Sequence, residues 1–195
     1  MGFDREIALR PVTLADTDLL FQWANDPETR QNSFSTQPIL YEEHVKWMQT
    51  KLACSDTLFL IGLLPKDENC AFTDQDDFSV TRSSVSEIGL FRLDKKEDNL
   101  MISYSVAPAF RGRGLGLRLL RSGLLYEATK CVLSAGLAKP CFYAEVLPGN
   151  KASSKIFTKL GFVREVNTDG VLCYRQTPNH LLQVCLDSAT SCVTK

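Results

Sequence analysis

Apolar and polar positions along the chain change their periodicity repeatedly, and each periodicity predicts one type of element. Short apolar runs and alternation with a period of two predict strands at residues 7–11, 58–64, 86–93, 100–106 and 141–146, and a final hairpin around 167–170. Apolar residues with helical spacing predict helices at residues 14–24, 41–52, 115–133 and 151–160. No internal repeat is visible, so we expect these elements to form one domain.

The pattern is interrupted by a polar segment at residues 65–84, which is rich in Asp and Ser. This segment is longer than ordinary connections between elements. Its acidic side chains, with Phe72 and Phe78 as the only large apolar ones, favour disorder over a lid that covers a site. We therefore expect a domain at residues 5–177 that contains this insertion, and a tail at 178–195 whose apolar portion packs on the domain.

Composition narrows the classes of function. With 195 residues, of which 44% are hydrophobic, the chain is long enough to bury one sizeable core. A net charge of −1 gives no general attraction to nucleic acid or to an anionic membrane. The seven cysteines have neither CxxC pairs nor zinc spacing, and their odd number favours reduced thiols. Because no signal peptide and no long apolar run is visible, we expect a cytoplasmic protein.

A glycine-rich junction at residues 106–116, VAPAFRGRGLG, carries the first chemical signal. It follows a predicted strand and opens a predicted helix. Gly112, Gly114 and Gly116 let the backbone approach a ligand, and the amides of residues 112–116 then point into one concavity at the positive end of the helix. The P-loop and dinucleotide patterns are absent. The junction therefore predicts a pyrophosphate cradle, with a plain glycine-rich helix start as the alternative.

A second segment, residues 144–162, reads AEVLPGNKASSKIFTKLGF. It leads from the end of a predicted strand through a Pro-Gly turn into a helix. Asn150 is a suitable N-cap for that helix, and Gly161 is a suitable C-cap. The two segments lie about 35 residues apart, with a helix and a strand between them.

Together these segments resemble the GNAT acyltransferase family, whose members take an acyl group from acyl coenzyme A. The first matches the family pattern Arg/Gln-x-x-Gly-x-Gly/Ala preceded by Val-x-Pro, and the second matches its Asn-x-x-Ser/Ala and Lys-x-Gly-Phe pattern. The resemblance implies an α/β (α+β) fold, a single GNAT domain with a mixed, twisted sheet of about six to seven strands and about four helices. It also implies that the parallel strands 100–106 and 141–146 splay around acetyl-CoA as co-substrate, without a metal.

The resemblance further implies which residues bind the cofactor. Backbone groups near Ser105 and Val106 would pair with the pantetheine arm, and an amide there would bind the thioester oxygen. The other residues that the resemblance places against the cofactor are Arg111, Gly112, Arg113, Gly114, Leu115, Gly116, Asn150, Ser153 and Phe157. Asn150 has an alternative interpretation as no more than a helix cap.

The implied chemistry is direct attack of an amine on the thioester. Alternation along their strand puts Tyr143 and Glu145 on one face, and Glu145 is the candidate base, directly or through water. Its alternative role is a salt bridge or a solvated strand end. Many family members carry a tyrosine as general acid where this chain has Phe157. The thiolate must then depart unprotonated or be protonated by water or another hydroxyl, with Tyr143, Tyr104 and Ser103 as candidates.

Residues 19–48 contain Trp23-Ala24-Asn25-Asp26-Pro27, Asn32-Ser33-Phe34 and Glu43-His44. With these words the segment resembles the branch of the family that acetylates amino groups on nucleotide-linked deoxysugars, as in the pseudaminic acid pathway. In that interpretation arginines hold a phosphate, an asparagine holds a sugar hydroxyl or uracil edge, and aromatic rings cover a ring face. The implied substrate-binding residues are Arg30, Asn32, Phe34, Trp47 and Arg92. The alternatives are a surface role for Arg30 and core packing for Trp23 and Trp47.

Three functions remain open at this point. The first is an N-acetyltransferase for the 4-amino group of a nucleotide-linked amino sugar, a small-molecule acceptor. The second is a protein or peptide N-acetyltransferase, and the third is a non-catalytic acyl-CoA-binding module, suggested by Phe157 in place of tyrosine. An open groove between the first two helices would favour the second, and a closed, arginine-lined pocket would favour the first. A homodimer is left open.

Overall fold

The computed structural model describes residues 7–66, 84–133 and 140–190. Most of the polar segment at 65–84 and the last five residues of the tail lie outside the described residues, and so do the predictions that concern them. The strands are β1 Ala8–Pro11, β2 Thr57–Pro65, β3 Val85–Lys96, β4 Asn99–Val106, β5 Cys141–Val146, β6 Val163–Val166 and β7 Leu172–Gln176. The helices are α1 Thr17–Ala24, α2 Pro27–Gln31, α3 Tyr41–Ala53, α4 Leu115–Leu133, α5 Lys151–Lys159 and α6 Pro178–Thr190.

The strands form one seven-stranded mixed sheet in the order β1-β2-β3-β4-β5-β7-β6. Neighbouring strands are antiparallel except for β4 and β5, which are parallel. The pairing of β4 with β5 joins only Asn99–Met101 to Cys141–Tyr143, although β4 continues to Val106 and β5 to Val146. The two strands therefore part toward their C-terminal ends, which confirms the splayed pair that the family resemblance implied.

Each face of the sheet has its own core. On one face α4 packs on β3 and β4 and is contacted by α6, and Leu119 and Phe91 belong to the larger cluster. On the other face α1 and α3 pack on β2 and β3 through residues such as Met48 and Ile61. A Cβ at Gly123 of α4 would lie 2.5 Å from the Phe91 ring, so only glycine allows this close approach. The contact fixes α4 against β3 and holds its N-terminus near the end of β4.

The expectation of about four helices is too low, because the described ranges contain six. The additional helix α2 has five residues, too few to show an apolar period. Its start is marked by Asp26, whose side chain accepts a hydrogen bond from Thr29 N at 3.1 Å, and by Pro27 at the first helical position. Helix α6 lies in the tail, where Leu181 and Cys185 join the larger core, so the tail packs on the domain as expected.

The final hairpin forms where the sequence predicted it. The side-chain oxygen of Asn167 accepts hydrogen bonds from Asp169 N at 3.0 Å and from Val171 N at 2.9 Å. Gly170 follows with a φ of 77°, a left-handed conformation that glycine adopts without strain. The turn returns the chain as β7, which pairs with β5 and places Cys173 opposite Glu145.

The described cysteines are free thiols: Cys54, Cys131, Cys141, Cys173 and Cys185. Within the described ranges, no group of three or more His, Cys, Asp or Glu side chains is arranged to hold a metal ion. None of the helices described has both the length and the apolar character needed to cross a membrane.

Candidate active site

The glycine-rich junction forms a backbone cradle between β4 and α4. After a short turn at Pro108–Phe110, Gly112 and Gly114 adopt φ angles of 73° and 74°. A Cβ at either position would meet nothing within 4 Å, so the backbone conformation, and not a lack of space, requires glycine. Left-handed residues in such a turn bring neighbouring amides toward one point, here at the N-terminus of the 19-residue α4. This arrangement suits a diphosphate.

A crevice runs from the cradle into the gap between β4 and β5, and it has two parts. The part beside the cradle, which we call the loop half, has a volume of about 430 Å³. The part between the separated strands, which we call the strand half, has a volume of about 370 Å³. The two halves adjoin, because both are lined by Asn32, Ser33, Tyr104, Asn150 and Ser153.

Most residues predicted to bind the cofactor line the loop half: Ser105, Val106, Arg111, Gly112, Gly114, Leu115, Gly116, Asn150 and Ser153. Phe157 lines the strand half instead. Arg113 is not among the described residues that line either half, and its guanidinium lies 5.5 Å from the centroid of the Phe110 ring. The fold thus brings the two glycine-containing segments of the sequence to the same cavity.

Glu145 and Ser103 line the strand half, and Tyr143 lies behind Glu145 on the same face of β5. The Tyr143 hydroxyl donates a hydrogen bond to Glu145 Oε1 at 2.9 Å and lies 3.1 Å from Cys173 Sγ. Burial raises the pKa of Tyr143, and the contacts with Cys173 and Glu145 raise it further. Tyr143 therefore stays neutral and orients the Glu145 carboxylate, which is itself exposed toward the crevice.

A second pair of hydroxyls lies where the two halves meet. The Tyr104 hydroxyl donates a hydrogen bond to Ser153 Oγ at 3.0 Å. Burial raises the pKa of Tyr104 to about 12, although the hydrogen bond with Ser153 opposes the shift. Phe157 is buried beside this pair, with its ring 6.0 Å from the Tyr104 ring and stacked on Tyr174 at 5.0 Å. Tyr104 is one of the three hydroxyls named from the sequence as candidate donors, and its side chain lines both halves of the crevice.

Asn150 has a structural task in addition to its place in the crevice. Its Oδ1 accepts a hydrogen bond from Ser153 N at 3.0 Å and caps α5. The cap fixes the first turn of α5, and with it the Ser153 hydroxyl. The two interpretations of Asn150, as a lining residue and as a cap, are therefore compatible.

The predicted substrate-binding residues are divided between two places. Asn32 and Phe34 line the strand half, and Phe34 is 61% exposed. The Arg92 guanidinium lies 5.2 Å from the centroid of the Trp47 ring, and Arg92 Nε lies 2.9 Å from Asp94 Oδ2. Neither Trp47 nor Arg92 is among the described residues that line the crevice. These two side chains belong to the packing between α3 and β3.

Arg30 supports the crevice wall from behind. Its Nη1 donates a hydrogen bond to Ser35 O at 3.3 Å, and its Nη2 donates one to Ser33 Oγ at 3.2 Å. Burial lowers the pKa of Arg30, but an arginine remains charged at any physiological pH. In this structure Arg30 therefore holds the loop that carries Ser33 and Phe34, and it does not itself line the crevice among the described residues.

The Arg111 side chain turns away from the cradle toward α2. Its Nη2 lies 2.6 Å from Asp26 Oδ1 and donates a hydrogen bond to Thr29 Oγ1 at 2.8 Å, and its Nη1 lies 3.1 Å from Glu28 Oε2. Burial of Asp26 would raise the pKa of its carboxyl, but the hydrogen bonds from Arg111 and from Thr29 N outweigh that effect and lower it. Sequence reasoning missed these contacts because α2 itself was not predicted.

The sequence matches one protein family over most of its length. The family described as "Acetyltransferase (GNAT) domain" matches residues 6–163. No curated protein sequence matches the chain significantly.

Several solved structures share the fold. A domain from Methanocaldococcus jannaschii has a TM-score of 0.67 at 21% identity, with 89% of this chain and 99% of that chain covered. Spermidine N-acetyltransferase from Vibrio cholerae, in complex with CoA and spermine, has a TM-score of 0.67 at 16% identity, with 91% and 98% covered. RimL, a ribosomal L7/L12 alpha-N-protein acetyltransferase in complex with coenzyme A, has a TM-score of 0.63 at 15% identity, with 90% and 96% covered. At these identities the similarity shows the fold alone.

Proposed function

The chain belongs to the GNAT acetyltransferase domain family, and on that premise we propose that it transfers the acetyl group of acetyl-CoA to a primary amine by direct attack. The observation that carries the proposal is the crevice itself. A backbone cradle with left-handed Gly112 and Gly114 opens into the gap between two parted parallel strands, and a carboxylate, Glu145, lines the far part of that gap.

The cofactor would occupy the loop half and the edge of β4. The amides of residues 112–116 would bind the pyrophosphate at the N-terminus of α4. Beyond Met101 the backbone of β4 makes no ladder with β5, so its groups near Ser105 and Val106 are available to the pantetheine arm. An amide there would also stabilise the tetrahedral oxyanion. In other enzymes, removal of one such donor raises the activation free energy by about 2.7–4 kcal/mol.

Glu145 is the proposed base, directly or through water. A primary amine is mostly protonated at neutral pH and must lose a proton before it attacks. The Glu145 carboxylate is exposed to the strand half, where the amine would enter, and the hydroxyl of Tyr143 holds one of its oxygens. Holding both substrates in one crevice supplies a further part of the rate.

The Phe157 ring has no proton to give, so any hydrogen bond to the leaving thiolate comes from another side chain. Ser153 lines both halves and accepts a hydrogen bond from Tyr104, which leaves the Ser153 proton free to point toward the thiolate. Tyr143 is committed to Glu145, and Ser103 lies only in the strand half. We therefore assign the Tyr104–Ser153 pair to hydrogen-bonding the leaving thiolate, which then takes its proton from water. A thiol with an ordinary pKa near 8.5 is in any case a tolerable leaving group.

The acceptor is the finer part of the proposal. The nucleotide-sugar hypothesis needs cationic groups for a diphosphate, but Arg30 supports a loop and Arg92 packs against Trp47. The described charged side chains of the strand half are Lys96 and Glu145, and the half is open at the exposed Phe34. The small number of charged side chains and the open end favour an amine on an extended, weakly charged acceptor such as a peptide N-terminus. The 4-amino group of a nucleotide-linked sugar is the second candidate, because Asn32 and Phe34 line the crevice.

Thiol release from acetyl-CoA measured against a panel of acceptors tests these alternatives. The panel contains short peptides, polyamines, amino acids, free amino sugars and UDP-linked 4-amino deoxysugars. Turnover with peptides alone supports the preferred acceptor, and turnover with nucleotide sugars alone supports the second. Saturable binding of acetyl-CoA without turnover on any acceptor would contradict catalysis and leave a cofactor-binding module.

A further inference from the structure

Arg111 connects two parts of the site that are far apart in the sequence. Its backbone belongs to the glycine-rich loop, next to Gly112, whereas its guanidinium contacts Asp26, Glu28 and Thr29 at 2.6, 3.1 and 2.8 Å. These three residues form the cap and the first turn of α2.

We propose that Arg111 is a positioning residue that holds α2 against the cradle and thereby couples acceptor binding to cofactor binding. Glu28 and Thr29 line the loop half, and α2 continues directly into Asn32 and Ser33, which line both halves. A cofactor that orders the loop around residue 111 would therefore also order one wall of the acceptor side. This proposal rests on the proposed binding of acetyl-CoA.

Helix α2 depends on such contacts because it has little packing of its own. It comprises five residues, none of them buried. A helix this short is not stable in isolation, so its position must come from tertiary contacts. The planar, forked guanidinium engages two carboxylates and a hydroxyl from two separate nitrogens, a fixed geometry that the point charge of lysine does not reproduce. The Arg111 and Asp26 side chains are only 23% and 18% exposed, so water screens their ion pair less than it screens a pair on the open surface.

Coupling of this kind must act in both directions. If the cofactor raises the affinity for the acceptor, the acceptor raises the affinity for the cofactor by the same factor. An arginine that only stabilised the fold would leave unchanged the factor by which one ligand raises the affinity for the other. The two roles can therefore be separated by measuring one ligand in the presence and absence of the other.

The first test follows hydrogen exchange of the α2 amides with coenzyme A itself as the probe. In the wild-type protein, coenzyme A should increase protection at residues 28–33. In the Arg111→Ala variant, calorimetry should still detect binding of coenzyme A, but the added protection should be lost. Equal protection in both proteins would overturn the proposal. If the wild-type protein did not bind coenzyme A, the proposed function would fail first, and calorimetry would show that separately.

The second test compares kinetic constants with the best acceptor of the panel. Arg111→Ala should raise the acceptor KM at saturating acetyl-CoA by about tenfold, toward the lower end of the usual range for coupled sites. The acetyl-CoA KM should rise by the same factor at saturating acceptor, and by less than about twofold when the acceptor is scarce. Asp26→Asn should act in the same direction, because asparagine keeps the cap but loses the charge. In the double variant the two effects should not add, and Arg111→Lys should restore part of the loss.

Arg113→Ala is the matched control from the same loop. Arg113 lies over Phe110 and makes no contact with α2 among the described residues. Its loss should leave the acceptor KM as it is, and any change in the acetyl-CoA KM should be the same at low and at saturating acceptor. The proposal fails if Arg111→Ala and Arg113→Ala give the same pattern of kinetic constants.

Discussion

The loop half and the strand half of the crevice are built in different ways. The loop half takes its main feature from backbone: Gly112 and Gly114 are left-handed, and the amides at the start of α4 come from one continuous segment. The strand half is formed by side chains from separate segments, namely residues 32–34, Ser103, Glu145 and Phe157. A backbone site suits the part that every acyl coenzyme A shares, and a side-chain site suits the acceptor, which differs from enzyme to enzyme. We therefore expect substitutions confined to one half to affect mainly the ligand of that half.

The largest effect is expected from Gly114→Trp in the loop half. A non-glycine residue in the left-handed conformation costs about 1–2 kcal/mol, and Gly114 lines the loop half, where a bulky side chain takes space from the ligand. We expect affinity for coenzyme A to fall by more than about 100-fold, measured by calorimetry, with an unchanged circular dichroism spectrum.

Gly149→Ala is the control for that change. Gly149 has no positive φ, and a Cβ there would meet nothing within 4 Å. Alanine at this position should leave coenzyme A affinity as it is. If the Gly114→Trp variant kept the wild-type affinity for coenzyme A, the cradle would not be the pyrophosphate site.

The next largest effect is expected in the strand half, from Glu145→Gln. The amide cannot accept a proton from the amine, so kcat should fall by about 100-fold and its rise with pH should flatten. The acetyl-CoA affinity should stay the same, because Glu145 does not line the loop half among the described residues. A pH profile of kcat with each variant measures this.

Glu165→Gln is the matched control, because it removes a carboxylate from the neighbouring hairpin. Glu165 is exposed on β6, 3.8 Å from Arg175 Nε, and does not line the crevice among the described residues. If Glu145→Gln keeps the wild-type rate at every pH, as Glu165→Gln should, Glu145 is not the base.

A smaller effect is expected where the two halves meet, from Tyr104→Phe. The change removes one hydrogen bond to Ser153, worth about 1 kcal/mol, so kcat should fall by about fivefold. Ser153→Ala should slow turnover at least as much, and the double variant should be no slower than Ser153→Ala alone. Independent, additive losses in single-turnover measurements would contradict the proposed pair.

The smallest effect is expected from Arg30→Ala, which acts on the acceptor only through the loop at residues 33–35. Two hydrogen bonds to Ser33 and Ser35 would be lost, and the loop would become less ordered. We expect the acceptor KM to rise by about threefold while the acetyl-CoA KM stays constant. If Arg30→Ala changed only the acetyl-CoA KM, Arg30 would act on the cofactor and not on the acceptor. Arg164→Ala, on exposed β6, controls for the loss of a surface charge.

The sequence was most informative where the chemistry depends on consecutive residues. The cradle at Gly112 and Gly114 and the cap at Asn150 were predicted because φ angles and caps are local properties of the chain. The parted strands followed from the family resemblance. Helix α2 was missed because five residues carry no apolar period, and its position depends on Arg111, more than 80 residues away.

The sequence by itself therefore determined the order of the long elements, the cradle and the family. Only the tertiary structure decided which side chains share the crevice. In the structure Tyr104 contacts Ser153, and Tyr143 contacts Glu145. Trp47 and Arg92, which were predicted to bind the substrate, lie instead in the packing of α3 on β3. The physical reason is that backbone conformation is set by neighbours in sequence, whereas a side chain's partners are set by how distant elements pack.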